Sequence, residues 1–217
     1  MNAEQFRLQI ESGQLQDLQQ ALASNPDLAN QTITWFVNQE NESDPLHYVC
    51  DCVFNGWLSE DLATEIAAML LEHGARVDGS DNRESPLIGA ASLGVEGVAA
   101  LLVDAGASLE ATSIFGARPL HWAAAIGLPQ TVAILIERGA ELEARCTEFD
   151  ATPLYWAAHA MGQQGPSKKK DPLAAAKILI EAGADPHATN KAGVSVLECS
   201  SRAESKELYL LLRSYSK

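Results

Sequence analysis

Two dipeptides recur along this chain at nearly fixed distance, and that spacing restricts the possible folds more than any other feature. Among the Pro-Leu pairs, those at Pro45, Pro86, Pro119 and Pro153 are spaced 41, 33 and 34 residues apart. Among the Gly-Ala pairs, those at Gly74, Gly106, Gly139 and Gly183 are spaced 32, 33 and 44 apart. A period near 33 means an array of small units, none of which can bury its apolar face without its neighbours. Proline is suited to the first helical position, where its missing N–H is no loss and its fixed φ is already helical, so each Pro-Leu marks a helix start. Runs such as Val98 to Val103 and Val132 to Ile136 are too apolar for a helix with one buried stripe and must be covered on more than one side. The glycine after each run supplies the positive φ that ends the helix. The unit predicted is helix, turn, helix, and an extended finger leading to the next proline.

The motifs agree in detail. Arg118-Pro-Leu-His-Trp-Ala-Ala124 is followed twenty residues after its proline by Gly139-Ala140. Thr152-Pro-Leu-Tyr-Trp-Ala-Ala158 repeats it, Ser85-Pro-Leu-Ile-Gly-Ala-Ala91 keeps its skeleton, and Asp44-Pro-Leu-His47 opens an earlier copy. Ser195-Val-Leu-Glu198 is a degraded last copy without the proline. These stretches resemble the Thr-Pro-Leu-His-x-Ala-Ala turn and helix of ankyrin repeats. The resemblance implies an all-α solenoid with projecting finger loops, running as a single domain over residues 1–217. Residues 1–43 form an N-terminal helical cap and long finger, 44–194 four repeats, and 195–217 a C-terminal capping repeat. The repeats at Pro45 and Pro153 are longer than the one at Pro119 by about nine and ten residues between proline and glycine, near Asn55 to Leu62 and Gly162 to Pro172.

Within the cap, Phe6, Leu8 and Ile10 precede Gly13, and Leu15, Leu18 and Leu22 follow it at helical spacing. Gln31 to Asn38 is β-branched and aromatic, as in an extended finger or short hairpin, and Trp35 and Phe36 either contact a partner or, the favoured reading, fold back onto the cap. Glu204 to Tyr215 is the predicted closing helix.

Charge is unevenly placed. The net charge is −14, and residues 1–82 hold 14 acids and 2 bases, against 15 acids and 13 bases in 83–217. Such a field repels nucleic acid and anionic membrane and favours solubility or a basic partner. The first residues lack the basic and apolar pattern of a secretion signal, no apolar run is long enough for a membrane span, and Cys50, Cys52, Cys146 and Cys199 have no disulfide-framework spacing. A monomeric cytoplasmic protein with reduced thiols is expected.

Catalytic and metal motifs are weak. His47-x-x-Cys50-x-Cys52 lacks the fourth converging ligand of a zinc site, and the resemblance assigns His47 to hydrogen bonds within its own turn. Gly162 to Lys168 has the composition of a phosphate loop in the wrong order. His159 has no acid near it in sequence to orient it. Neither cofactor nor metal is expected.

The resemblance places recognition on the finger tips and the open side of the first helices. The matching positions are Asn82 and Arg83, Ile114 and Phe115, Glu148 and Phe149, and Lys191 and Ala192 at the tips. On the helices they are Ser92, Ile126 and His159, with Trp122 and Trp156 either walling the groove or, the favoured reading, packing between repeats. Phe115 and Phe149 are expected about 10 Å apart, one helix layer. Arg83 and Asp150 stand where a tip glycine is regular, in connections one residue short and one residue long. The function implied is non-catalytic binding of a partner protein. The alternatives are an acidic inhibitor or immunity-type protein neutralising a basic enzyme, and an enzyme using His159 and the lysine loop.

Overall fold

The computed structural model describes residues 2–35, 41–81, 83–161, 170–202 and 206–215. These fall into two compact units, Met1–Ser108 and Leu109–Lys217. Both are helical, and both are built from the predicted pairs.

The first unit opens with α1 (Ala3–Ser12) and α2 (Leu15–Ser24). Gly13 turns between them with φ +65°, and Phe6, Ile10, Leu18 and Leu22 are fully buried. A short 3-10 turn over Pro26–Asn30 leads to an antiparallel hairpin, β1 (Ile33–Trp35) and β2 (Asn41–Ser43), in which Ile33 pairs with Ser43 and Trp35 with Asn41. Trp35 is buried and lies edge-on to Tyr48, with centroids 5.6 Å apart, so it does fold back. Phe36 lies outside the described residues. Next come α3 (Pro45–Phe54), α4 (Glu60–Glu72), α5 (Pro86–Leu93) and α6 (Glu96–Asp104), with α3 packed on α5 and α4 on α6.

The second unit repeats the plan with α7 (Pro119–Ile126), α8 (Pro129–Glu137), α9 (Pro153–Ala160), α10 (Pro172–Glu181), α11 (Val196–Arg202) and α12 (Lys206–Tyr215). First helices α7, α9 and α11 form one row, and second helices α8, α10 and α12 the other. Alanines at Ala123, Ala124, Ala157 and Ala158 are fully buried, because the first helices approach closely along them.

Side chains also carry hydrogen bonds from repeat to repeat. Two residues past Gly74, Gly106 and Gly183, the backbone N–H donates to a side chain of the preceding repeat: Arg76 to Asn30, Ser108 to Asp78 and Asp185 to Glu143, each at 2.8 Å. Each satisfies a backbone donor that the turn leaves unpaired.

The insertion after Pro45 is distributed through its repeat. Relative to α7 and α8, with 8 and 9 residues, α3 has 10 and α4 has 13, so both helices lengthen along with the turn. Ser59 caps α4 as expected, its hydroxyl accepting the Leu62 N–H at 3.3 Å. The other insertion, apart from Lys170 to Pro172, lies outside the described residues.

Candidate partner-binding face

Finger shape follows from loop length. The Gly116 finger is closed by the Ser113 N–H donating to the Ala117 carbonyl at 2.9 Å. The next finger is closed one residue further on, from Cys146 to Ala151 at 3.1 Å. Asp150 absorbs the extra residue with φ +46°, the one non-glycine residue at positive φ among those described. Successive tips are then tied by backbone: the Phe115 carbonyl accepts the N–H groups of Thr147 and Glu148 at 3.0 and 3.2 Å, and the Phe149 carbonyl accepts that of Lys191 at 2.8 Å. Gly116 is required here, since a Cβ would lie 2.4 Å from the Thr147 hydroxyl and φ is +65°.

This ladder draws the tip aromatics together. Phe115 and Phe149 have ring centroids 6.3 Å apart, closer than the 10 Å expected from one helix layer, because hydrogen-bonded tips converge on strand-like spacing. Phe115 also meets Trp122 at 6.1 Å, Phe149 meets Trp156 at 6.2 Å, and Trp122 meets Trp156 edge-on at 5.1 Å. The four rings form a closed circuit on one face. Phe115, Trp122 and Trp156 are half-buried, whereas Phe149 is 47% exposed and Ile114, beside Phe115, is 88% exposed. The circuit packs internally and still presents apolar surface.

Behind Phe149 the face deepens into a cleft of about 360 Å³, bounded by Phe149, Trp156, Tyr155, His159, Ala125 and Asn190. Tyr155 and Asn190 are not among the residues the motifs single out. Tyr155 occupies the histidine slot of the Pro-Leu-His turn, and its hydroxyl accepts from Asn190 Nδ2 at 2.9 Å. His159 is exposed, its ring lies nearly parallel to Tyr155 at 6.5 Å, and that ring has no hydrogen-bond or ion-pair partner among the described residues. Among the described residues no carboxylate orients it as a base would require.

The remaining positions are dispersed. Ile126 is half-buried, and Glu148, Lys191 and Ala192 are exposed. In the first unit, Arg83 is held in ion pairs with Glu42 at 2.9 Å and Asp44 at 3.3 Å, and Ser92 donates to the Gly89 carbonyl at 3.3 Å. Asn82 lies outside the described residues, as do Lys168 and Lys169 of the lysine loop.

The two motif histidines differ. His121 is fully buried and bonds as the turn motif implies: Nδ1 accepts the Arg118 N–H at 3.1 Å, and Nε2–H donates to the Ala151 carbonyl at 3.1 Å. Burial lowers its pKa to about 4, with the backbone carbonyls opposing. His47 corrects the expectation from the motif, because its ring turns to Asp51 at 3.0 Å and Glu84 at 3.6 Å. Burial alone would depress its pKa, but these two carboxylates outweigh it and raise the value to about 9. Glu84 occupies the repeat position that Ala151 holds after His121, so a side-chain carboxylate has replaced a backbone carbonyl as the acceptor. The Cys50 and Cys52 thiols are buried and pushed well up in pKa, so they are poor nucleophiles.

Comparison with protein families matches residues 96–190 to a model of ankyrin repeats in three copies. Residues 96–190 carry ankyrin repeats. Repeats of this family are in general protein–protein interaction modules and typically non-catalytic. The matched ankyrin segment contains the whole aromatic circuit and the whole cleft lining. No curated protein matches the sequence. Among the described residues, no helix of this protein is long and apolar enough to cross a membrane, and no group of three or more His, Cys, Asp or Glu side chains converges as metal ligands would.

Proposed function

We propose that this protein binds a partner protein on the finger and first-helix face of its second unit, without catalysis or a cofactor. The observation that carries the reading is the continuity of exposed Ile114 and Phe149 with the four-ring circuit and the cleft beside it. Large apolar side chains at loop tips gain nothing from exposure in the free protein, and a rigid aromatic cluster is the composition of an interface anchor. The ladder between fingers fixes the cluster beforehand, which lowers the ordering cost of association. The cleft lies at the small end of the roughly 300–1,000 Å³ range of ligand pockets, a size suited to a partner side chain.

The test uses the full chain as bait for native extract, followed by titration of the retained partner. Phe149→Ala and Ile114→Ala should each weaken binding by up to about 2 kcal/mol while leaving the urea midpoint nearly unchanged. Binding should also weaken little with salt, whereas an acidic inhibitor of a basic enzyme would bind with steep salt dependence. Unchanged affinity in both variants sinks the proposed face.

A further inference from the structure

The lengthened repeat of the first unit exposes aromatic surface away from any motif position. Phe54, the last residue of α3, is 70% exposed, and Trp57, in the turn to α4, is 43% exposed. The corner that presents them is ordered. The N–H groups of Trp57 and Leu58 both donate to the Cys52 carbonyl, at 2.9 and 3.2 Å, and Asn55 Nδ2 donates to the Asp51 carbonyl at 2.8 Å. Gly56 takes φ +74°. Leu58 is buried and, with Leu62, closes against Gly13, where a Cβ would lie 3.4 Å from Leu58 and 2.4 Å from Leu62. One edge of Trp57 rests on Trp35, with centroids 6.1 Å apart and planes at 87°. The insertion therefore builds a rigid corner carrying two exposed aromatic rings.

Charge identifies what such a corner suits. From Glu42 to Ala75 the chain has seven carboxylates and no lysine or arginine. Asp61, four residues past Trp57 in the first turn of α4, is exposed and has no ion-pair partner among the described residues. Nucleic acid and anionic lipid would be repelled by this surface. The complementary group is a cation with a flat, weakly hydrated face, which the arginine guanidinium supplies when it stacks on tryptophan or phenylalanine.

We propose that the inserted α3–α4 corner is a docking surface for a basic, arginine-bearing segment of a protein partner, held on Phe54 and Trp57 and by the neighbouring carboxylates. This surface lies within the first unit and uses none of the residues of the second unit's face.

The probe is the labelled peptide acetyl-(Gly-Arg)6-amide, with acetyl-(Gly-Lys)6-amide as its charge-matched control. Anisotropy titrations use the full chain at low and moderate salt. The arginine peptide should bind more tightly than the lysine peptide, and Phe54→Ala should weaken it about fivefold while changing the lysine peptide about twofold or less. Asp61→Asn should weaken both peptides. Trp57→Ala should act like Phe54→Ala. Because its contact with Trp35 also bears on folding, the more exposed Phe54 carries the test, with the urea midpoint as control. No binding of the arginine peptide at low salt overturns the proposal. Equal binding of the two peptides, unaffected by Phe54→Ala, also overturns it and leaves only a general acidic field. Phe54-dependent binding to phosphatidylcholine–phosphatidylserine vesicles would overturn it in favour of a membrane.

Discussion

His47 and His121 occupy the same slot of the same motif, and the structure predicts that their protonation acts on stability in opposite directions. His47, with 15% of its side chain exposed, is bracketed by Asp51 and Glu84 and titrates near 9. His121 has no exposed surface, bonds as a neutral ring, and titrates near 4. An unfolded histidine titrates near 6.5. For His47 the folded value lies above the unfolded one, so its contribution is full below pH 6.5 and is lost as pH rises through 9. For His121 the folded value lies below, so stability is full above pH 6.5 and is lost as pH falls toward 4. Each tenfold difference in proton affinity is worth about 1.4 kcal/mol, which makes either contribution roughly 3 kcal/mol, the scale of a buried ion pair. Urea unfolding of the wild type, His47→Gln and His121→Gln from pH 4.5 to 9.5 measures both. The deficit of His47→Gln relative to wild type should shrink toward alkaline pH, and that of His121→Gln toward acid pH. Ring-proton NMR titrations locate the two pKa values directly. A His47 ring titrating at or below 6.5, or two deficits with the same pH trend, would refute the reasoning.

Substitutions at three further positions test the packing. The Trp122 indole N–H is buried without an acceptor among the described residues, so Trp122→Phe, which removes an unpaired donor, should cost far less in urea unfolding than Trp122→Ala at about 3–5 kcal/mol. Leu135, fully buried in α8, should lose about 2–5 kcal/mol on Leu135→Ala by opening a cavity, and a loss under about half a kcal/mol would contradict that packing. Gly116→Val should be destabilising because its φ is +65° and the Thr147 backbone nitrogen lies within 2.8 Å of a Cβ. A variant as stable as wild type would show that the finger ladder is not tight.

The repeat plan, the helix starts and the longer finger at Asp150 were legible in the sequence because each depends on local chemistry. Proline at the first helical turn, glycine at a positive φ and the count of residues between them act over a few positions, and periodicity multiplies the signal. Phe115, Trp122, Phe149 and Trp156 were recognisable as candidates for the same reason, being fixed by register within their repeats. Their distances were not legible. The tips meet at 6.3 Å because backbone hydrogen bonds run between residues some 32 positions apart, and no local rule specifies that convergence. Tyr155, Asn190 and the cleft they share escaped notice because a cleft is made by the gap between neighbours. The exposed corner of Phe54 and Trp57 was hidden in an insertion whose length is countable but whose division between helix and turn is settled by packing on Gly13 and Trp35. His47 shows the limit most directly. Its motif specifies the residue and its place at the helix start, but its charge is set by Asp51 one turn along its own helix together with Glu84 from the next repeat, and only the stacked structure brings the second of these within reach.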